Sequence, residues 1–436
     1  MNSVTQLDTP EVTRLFSNLA LEGNTFSHHP GSMLGCTALV AGTTIGVGML
    51  ALPAVTLRSG VVPSTVMLIG VWIYIFATSL LLVEVNVNAM RTLGRPGLGL
   101  LAMVEGILGK QEARVTGGAY LFYHYALLVA YMSQGGAILL SAFETVAGVP
   151  QGLPPWVGTL TFTILFGGIL YLGHERLVEK LNNAFVAIVI VSFVGLLLLG
   201  VTQVNPTQFL SQDWGAISPA VSVMFVAMFY HNVVPIVTTQ LEGDVKKIRC
   251  AIAIGSAIPL VMFLAWNAMI LGSVTSVMMQ GVSDGSTVFD PLQVLRNGKA
   301  GTWLGVLVSV FSEFAIITSF IGFVYGLLDF FKDVLDVAPN DSSKRLPLYS
   351  LVLLPATSLS VLNPSIFFTA LDYAGTFSIS VLGGIIPALM AWKQRYSQQQ
   401  TSNPVTKPLI PGGKVTLVVI IGVALTVMVR HVVAMK

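Results

Sequence analysis

The sequence predicts an all-α membrane protein in which two of the membrane-spanning helices are interrupted. Of its 436 residues, 54% are hydrophobic and only 10% are charged, whereas soluble domains carry about 25% charged residues. Apolar runs of roughly twenty residues recur along the chain, which is the length that a helix needs to cross the hydrocarbon. These runs do not alternate between apolar and polar residues, as the strands of a membrane barrel do. The composition and the runs together therefore indicate a bundle of helices in lipid.

Eleven apolar segments predict eleven spans. They are 33–57, 62–90, 118–147, 156–173, 183–202, 216–241, 251–274, 302–331, 346–362, 366–392 and 413–433. The polar residues 1–32 predict a cytoplasmic tail rather than a cleaved signal peptide. The remaining chain then divides into a first five-helix half at 33–202, a second at 216–392, and an eleventh helix at 413–433.

The positions of lysine and arginine predict the orientation, because cytoplasmic loops carry an excess of these residues. With the N-terminus inside, five of the 22 basic residues fall outside: Arg58, Arg296, Lys299, Arg430 and Lys436. The other seventeen fall in the inside segments, loop after loop. We therefore expect a multi-pass protein with its N-terminus in the cytoplasm. The lack of a long transit segment rich in serine and arginine favours the bacterial inner membrane over an organelle envelope of bacterial origin. The short loops leave no room for a soluble catalytic domain, so the function is expected inside the bundle.

The first span contains three glycines within seven residues. These residues are Gly42, Thr43, Thr44, Ile45, Gly46, Val47 and Gly48, and Pro53 follows them. Each glycine weakens a helix by about 1 kcal/mol relative to alanine. Unwinding would free N–H groups that attract a carboxylate and C=O groups that attract an ammonium or a cation. We therefore predict a solute site at Gly42, Thr43, Thr44, Gly46 and Gly48. The alternative is close helix packing through small residues.

The sixth span contains a second break. Phe229, Tyr230, His231 and Asn232 lie in mid-span, shortly before Pro235, and proline disrupts the preceding helical turn. Spans one and six occupy corresponding positions in the two halves. This arrangement is typical of transporters built from inverted repeats, which bind their solute at the membrane midplane between the halves.

Seven segments carry a resemblance to a known family. They are GTTIGVGMLALP (42–53), LLLVEV (80–85), YALLVAYMSQGG (125–136), HNVVP (231–235), KIRCAIAIGSAIPL (247–260), TSFIGFVYGLLDFFKD (318–333) and IIPALMAW (385–392). In these segments the chain resembles the aromatic amino acid permeases, the tryptophan/tyrosine transporters of the amino acid–polyamine–organocation superfamily.

The resemblance implies a LeuT-like fold, a 5+5 inverted repeat with discontinuous helices 1 and 6 plus an eleventh helix. It also implies a secondary active transporter that imports tryptophan, tyrosine or phenylalanine by symport, with the proton as the usual driving ion and no cofactor. Alternating access would follow from rocking of spans 1, 2, 6 and 7 against spans 3, 4, 8 and 9. In this fold the two breaks would hold the carboxylate and the ammonium of the substrate.

Further site residues are expected on the third and eighth spans. Tyr131 and Gln134 share a face of the third span with Leu127, and Gln134 is a candidate partner for an indole N–H or a phenol O–H. Phe323, one turn after Ser319, is a candidate to face the substrate ring. The alternative for Tyr131 and Phe323 is core packing, and for Gln134 a hydrogen bond to another helix.

The coupling ion stays open between proton and sodium. Ala315, Thr318 and Ser319 lie on one helical face and resemble the segment that binds sodium in sodium-coupled relatives of this fold. The alternative is that the two hydroxyls bond within the bundle. Glu313 is an acidic residue inside a span, and such residues often mark proton paths. His231 is a second proton candidate. The alternative for Glu313 and His231 is a structural hydrogen bond.

Other functions have less support. An enzyme would need a metal cluster or a nucleophile with its base, and none of the six histidines is spaced for either role. A channel would favour a repeated pore motif, which the sequence lacks. A net charge of +2 predicts no nucleic-acid partner. A sodium-coupled symporter of other neutral amino acids remains the main alternative, ahead of a channel.

Overall fold

The computed structural model describes residues 19–22, 25–28, 31–93, 99–146, 152–273, 302–337, 342–396 and 407–434. Most of these residues are helical. The exception is an antiparallel hairpin of β1 (Leu19–Glu22) and β2 (Thr25–His28), which lies in the predicted tail. The predicted all-α class is confirmed, with this small hairpin added to it.

The first half of the chain holds five spans. They are the pair α1 (Met33–Thr44) and α2 (Val47–Thr56); α3 (Val61–Leu93); α5 (Lys110–Val146); a fourth span of α6 (Pro155–Phe162), a π-helical turn (Thr163–Gly167) and α7 (Gly168–Leu172); and α8 (Glu175–Gly200). A short helix, α4 (Leu100–Ile107), lies between α3 and α5 in a segment predicted as loop. Helices α5 and α8 begin before the predicted residues 118 and 183, because each helix includes polar turns that precede its apolar segment.

Short 3₁₀ turns at Val201–Gln203, Pro206–Leu210 and Gly215–Ile217 lead into the second half. Its spans are α9 (Ala220–Met228), a 3₁₀ turn (His231–Val233) and α10 (Val234–Gln240); α11 (Val245–Ser273); α12 (Thr302–Val334); α13 (Arg345–Leu362) after a turn at Ser342–Lys344; and α14 (Phe367–Tyr373), a π-helical segment (Ala374–Ile385) and α15 (Ile386–Tyr396). The last is α16 (Gly413–Ala434).

The described residues contain ten helical segments that are long and apolar enough to cross a membrane, and the bent pair α1–α2 makes eleven. This count agrees with the sequence prediction. The interrupted sixth span is 83% buried within the protein over its most apolar window, whereas α16 is only 17% buried. Irregular backbone is tolerated at membrane depth where protein or water covers it. The burial of the sixth span therefore fits its interruption, and α16 lies at the periphery.

The packing of the helices divides the bundle around the first break. Helix α1 packs against α11, and α2 packs against α9 and α11. On the other side, α5 packs against α6, α12 and α13. The break between α1 and α2 is therefore held by the sixth and seventh spans and faces the third and eighth.

Candidate substrate and ion site

The first span is broken at Ile45 and Gly46. Ile45 has extended backbone, Gly46 has a non-helical one, and α1 and α2 are inclined by 47° to each other. The Ile45 N–H still donates to Ala41 O at 3.1 Å, and the Met49 N–H donates to Gly46 O at 3.0 Å. The first N–H groups of α2 and the last C=O groups of α1 have no partners within their own helices. The break thus presents donors and acceptors to whatever lies beside it.

Side chains from two other spans converge on Gly46. A Cβ atom at this position would lie 2.6 Å from Ser319 Oγ of α12 and 3.9 Å from the Tyr131 hydroxyl of α5. The Tyr131 hydroxyl and the Ser319 side chain are close enough to interact. Three residues predicted separately therefore meet at one point. The absence of a side chain at Gly46 leaves room for this approach.

The sixth span is broken at Phe229 and Tyr230. The backbone of Phe229 is extended, and the chain resumes through the 3₁₀ turn before α10 begins at Val234. Pro235 occupies the first turn of α10, where the missing N–H of proline removes no helical hydrogen bond. The sequence therefore places the proline at the beginning of the second half-helix, where it is tolerated.

Two side chains of the second break are fastened to α3. His231 Nε2 lies 2.9 Å from Thr78 Oγ1, and the Tyr230 hydroxyl lies 3.0 Å from Ser79 Oγ. Thr78 also donates to Ile75 O at 3.1 Å, so the shared hydrogen comes from His231 Nε2. His231 Nδ1 is buried and has no hydrogen-bond partner among the described residues. In the neutral ring that nitrogen is an acceptor.

A group of aromatic rings extends from the first break to the second. Phe323 of α12 lies 5.6 Å from Tyr131 and 5.4 Å from Tyr123 of α5, between ring centroids. Tyr123 lies 5.1 Å from Phe229, which stacks on His231 at 5.1 Å. We call Tyr123, Tyr131, Phe229 and Phe323 the ring group. It provides the large apolar surface and edge-to-face contacts that suit an aromatic ligand.

Comparison with known proteins identifies the family. Residues 29–431 match the tryptophan/tyrosine permease family. The chain belongs to this family. The permease is 29% identical over 398 residues to the tyrosine-specific transport system 1 of Haemophilus influenzae, which covers 90% of this chain and 95% of that protein. It is 25% identical over 401 residues to a tryptophan-specific transport protein of Pseudomonas aeruginosa, covering 90% and 93%.

The fold of the permease is also found among solved structures. The crystal structure of MhsT in complex with L-phenylalanine matches it with a TM-score of 0.65 and 17% identity, covering 93% of this chain and 99% of that one. The LeuT-like fold implied by the sequence is confirmed. The members of the family are transport permeases, as predicted, and not enzymes.

Other residues predicted around the first break of the permease make contacts of a different kind. The Thr43 and Thr44 hydroxyls donate to Leu39 O at 2.7 Å and Val40 O at 2.8 Å, within α1. Gly42 is exposed on α1, and a Cβ atom there would meet open space. A Cβ atom at Gly48 would lie 2.6 Å from Ala227 Cβ and 2.8 Å from Phe263. Gly48 therefore has the packing role that the sequence offered as the alternative.

Gln134 and Asn232 are both half-buried in the permease. Gln134 lies one turn beyond Tyr131 on α5. Asn232 lies in the 3₁₀ turn of the second break, and its Oδ1 atom is buried without a hydrogen-bond partner among the described residues. Asn232 and His231 thus give the second break two buried acceptors. Gln134 stays a predicted ligand, one turn from the residue that approaches Gly46.

The predicted ion-coupling residues of the permease lie along α12. Ala315 is buried, and the Thr318 hydroxyl donates to its carbonyl at 3.1 Å, which is the structural role considered for Thr318. Ser319 instead faces Gly46. Glu313 lies two residues before Ala315, and both of its carboxylate oxygens are shielded from solvent. Within the described residues, no group of three His, Cys, Asp or Glu side chains is placed to hold a metal.

Two residues of this region of the permease, Tyr123 and His124, were not predicted from the sequence. They lie on α5, eight and seven residues before Tyr131, so helical periodicity places them near its face. Extending the face of Tyr131 by two turns would have found them. Thr78 and Ser79, which hold the second break, carried no signal in the sequence, because a hydroxyl in a membrane helix most often bonds within its own helix.

Proposed function

We propose that this permease imports aromatic L-amino acids by symport, with the proton as the coupling ion. The observation that carries the proposal is the meeting of Gly46, Tyr131 and Ser319 beside the ring group. A helix break supplies the polar groups that an amino acid needs at its α-carbon, and the rings supply an apolar surface for its side chain. The tyrosine and tryptophan transporters among the relatives support the same substrate class.

Each part of the substrate has a proposed partner in the structure. The carboxylate is bound by the first N–H groups of α2, because a helix N-terminus attracts an anion. The ammonium is bound by the last carbonyls of α1 and by the buried acceptor Asn232 Oδ1 of the second break. The aromatic side chain inserts among Tyr123, Phe229 and Phe323.

The packing supports alternating access as the mechanism. In the first span, α1 packs against α11 and α2 packs against α9 and α11, while the residues that reach Gly46 come from α5 and α12. The first, second, sixth and seventh spans would then move against the third, fourth, eighth and ninth. Glycine at position 46 lets the two groups of spans separate without interlocking side chains at the site.

The distribution of lysine and arginine supports the proposed orientation, with the N-terminus in the cytoplasm of a bacterial cell. In that orientation, α5 runs outward and α12 runs inward. The relatives named above are bacterial, which supports the inner membrane as the location.

Uptake into proteoliposomes tests this function. Radiolabelled tryptophan, tyrosine and phenylalanine are supplied outside, with either an inward proton gradient or an inward sodium gradient. We expect saturable accumulation of at least one of them, driven by the proton gradient and abolished by a protonophore. The absence of aromatic uptake under both gradients would contradict the substrate class.

Sodium coupling is the second candidate, because Ala315, Thr318 and Ser319 share the face of α12 that meets the first break. The last carbonyls of α1, the Ile45 carbonyl and the Ser319 hydroxyl are oxygen ligands of the kind that sodium prefers. Accumulation that follows the sodium gradient and survives the protonophore would favour this candidate over the proton.

A further inference from the structure

One polar side chain beside the ring group has no role in the proposed site. His124 lies on α5 and is only 2% exposed. Its ring centroid is 5.0 Å from Phe323 and 5.2 Å from Tyr123. A polar group in such apolar surroundings is costly unless it is hydrogen-bonded, so the partners of its two nitrogens decide what it does.

One nitrogen of His124 has a fixed role. Nδ1 lies 2.9 Å from the carbonyl oxygen of Tyr120, one turn earlier on α5. A carbonyl oxygen only accepts hydrogen bonds, so Nδ1 carries the hydrogen. In the neutral imidazole, Nε2 is then an acceptor. The backbone of α5 thereby selects the tautomer and aims the lone pair of Nε2 away from its own helix.

The edge of the His124 ring that carries Nε2 faces a glycine on the facing helix. A Cβ atom at Gly326 of α12 would lie 3.1 Å from His124 Nε2, 3.3 Å from His124 Cδ2 and 3.6 Å from the Tyr120 hydroxyl. The imidazole edge and the phenol oxygen therefore border the place where any other residue would put its side chain. Gly326 leaves this place open beside Phe323, which lies one turn earlier on α12.

The distance from the first break matches the length of an aromatic amino acid. His124 is seven residues from Tyr131 on α5, and Gly326 is seven residues from Ser319 on α12. Seven residues of helix correspond to about 10.5 Å. This separation is close to that between the carboxylate and the phenol oxygen of tyrosine with one hydrogen bond added. The ring of Phe323 lies between the two ends, near Tyr131 and near His124.

We propose that His124 Nε2 accepts a hydrogen bond from a donor on the substrate ring and so sets the preference among aromatic amino acids. The donor is the phenol O–H of tyrosine or the indole N–H of tryptophan, and phenylalanine has neither. This inference rests on the proposed function. A site built around a hydrogen bond rejects the analogue that lacks the donor, because the acceptor is then buried without a partner.

The test compares three substrates in one preparation. The kcat/KM for uptake of tyrosine, tryptophan and phenylalanine is measured for wild type, His124→Phe and the control His174→Phe, whose histidine is exposed at the start of α8. We expect His124→Phe to lower the preference for the donor-bearing substrate over phenylalanine about tenfold, as loss of one hydrogen bond predicts. If the preference for tyrosine over phenylalanine falls, the donor is the phenol O–H. If the preference for tryptophan falls, the donor is the indole N–H. The control should keep the wild-type ratios.

Two further variants keep the test decisive if His124→Phe does not fold. Gly326→Ala places a methyl group against Nε2 and should lower uptake of the donor-bearing substrate more than uptake of phenylalanine. His124→Gln keeps an acceptor and should retain part of the preference. Wild-type ratios in all the folded variants would overturn the role of His124 while leaving the proposed function intact. Absence of aromatic uptake by the wild type would overturn the proposed function itself.

Discussion

Arg395 and Glu84 form a buried ion pair between helices that are far apart in the sequence. Arg395 Nε and Nη2 each donate to one carboxylate oxygen of Glu84 at 2.7 Å. The two side chains are 7% and 2% exposed. The N–H of Leu409 donates to the same carboxylate at 2.8 Å. The pair therefore fastens α3 to α15 and to the segment that leads into α16, at the predicted cytoplasmic ends of these helices.

Removing one partner of this pair should destabilise the protein strongly. In Arg395→Ala, Glu84 keeps its charge and its burial but loses two charge-assisted hydrogen bonds. We expect a loss of roughly 3 kcal/mol or more, as measured for single removals from buried pairs. The measurement is the free energy of unfolding in mild detergent. Combining Arg395→Ala with Glu84→Gln should cost less than the sum of the two single changes.

An exposed pair supplies the control. Lys332 Nζ lies 3.2 Å from Asp329 Oδ1, and these side chains are 40% and 71% exposed. Asp329→Asn should change the free energy of unfolding by no more than about 1 kcal/mol, because solvent screens such pairs. Equal losses in Asp329→Asn and Arg395→Ala would show that the buried pair does not hold these helices together.

Gly46→Ala should abolish transport while leaving the protein folded. The new methyl carbon would lie 2.6 Å from Ser319 Oγ, inside any real contact distance, so either the Ser319 hydroxyl must turn away from the break or the first span must shift away from α12. Uptake of aromatic amino acids should fall at least a hundredfold. The double variant Gly46→Ala with Ser319→Ala removes the nearest atom and leaves the next at 3.7 Å, so it should fold as well as the wild type and regain part of its substrate binding.

The matched control for this glycine is Gly70→Ala. Gly70 is exposed on α3, and a Cβ atom there meets no atom within 4 Å. It should transport as well as the wild type. If Gly46→Ala also transported normally, the approach of Ser319 and Tyr131 to the break would have no part in transport.

Thr78→Val should weaken the second break. Valine keeps the shape of threonine but removes the oxygen that His231 Nε2 contacts at 2.9 Å. Both nitrogens of a fully buried histidine would then lack partners, at a cost of about 1–3 kcal/mol in the free energy of unfolding. Thr78→Ser restores the oxygen and should recover most of the loss. Thr426→Val, at an exposed hydroxyl bonded within α16, is the control and should change stability little.

The parts of the fold that the sequence predicted depend on local or periodic signals. Apolar runs and the alternation of basic loops predicted the span count, and the three glycines predicted the first break. The pairing of Arg395 with Glu84 could not be predicted, because many basic residues lie near the inside ends of the spans. Only the folded chain shows which of them reaches Glu84.

Prediction of the site has the same limit, because local patterns do not show how the helices pack. Gly46, Tyr131 and Ser319 were all proposed from local patterns, yet their meeting depends on how α1, α5 and α12 pack. Gly48 carries the same local signal as Gly46, but it faces Ala227 and Phe263 instead of α12. Two glycines only two residues apart therefore have different roles, and helical periodicity cannot separate them once the helix is interrupted.

Glu313→Gln tests the proton as the coupling ion. Glutamine keeps the size of the side chain and most of its hydrogen bonding, but it cannot release a proton. If Glu313 carries the proton, the variant should lose proton-driven accumulation at least tenfold. It should still exchange labelled for unlabelled substrate across the membrane, because exchange needs no net movement of the ion. The measurement is uptake and exchange in the same proteoliposomes.

Two other variants show whether a loss of accumulation in Glu313→Gln is specific to that carboxylate. Glu105→Gln, at an exposed carboxylate on α4, should keep both activities. His231→Gln examines the second proton candidate and should lose accumulation if Nδ1 of the second break takes up the proton. Full proton-driven accumulation in Glu313→Gln would exclude Glu313 as the carrier. If sodium drives accumulation in all three variants, sodium is the coupling ion and binds at the face of Ala315, Thr318 and Ser319. The first break would then supply the remaining oxygen ligands.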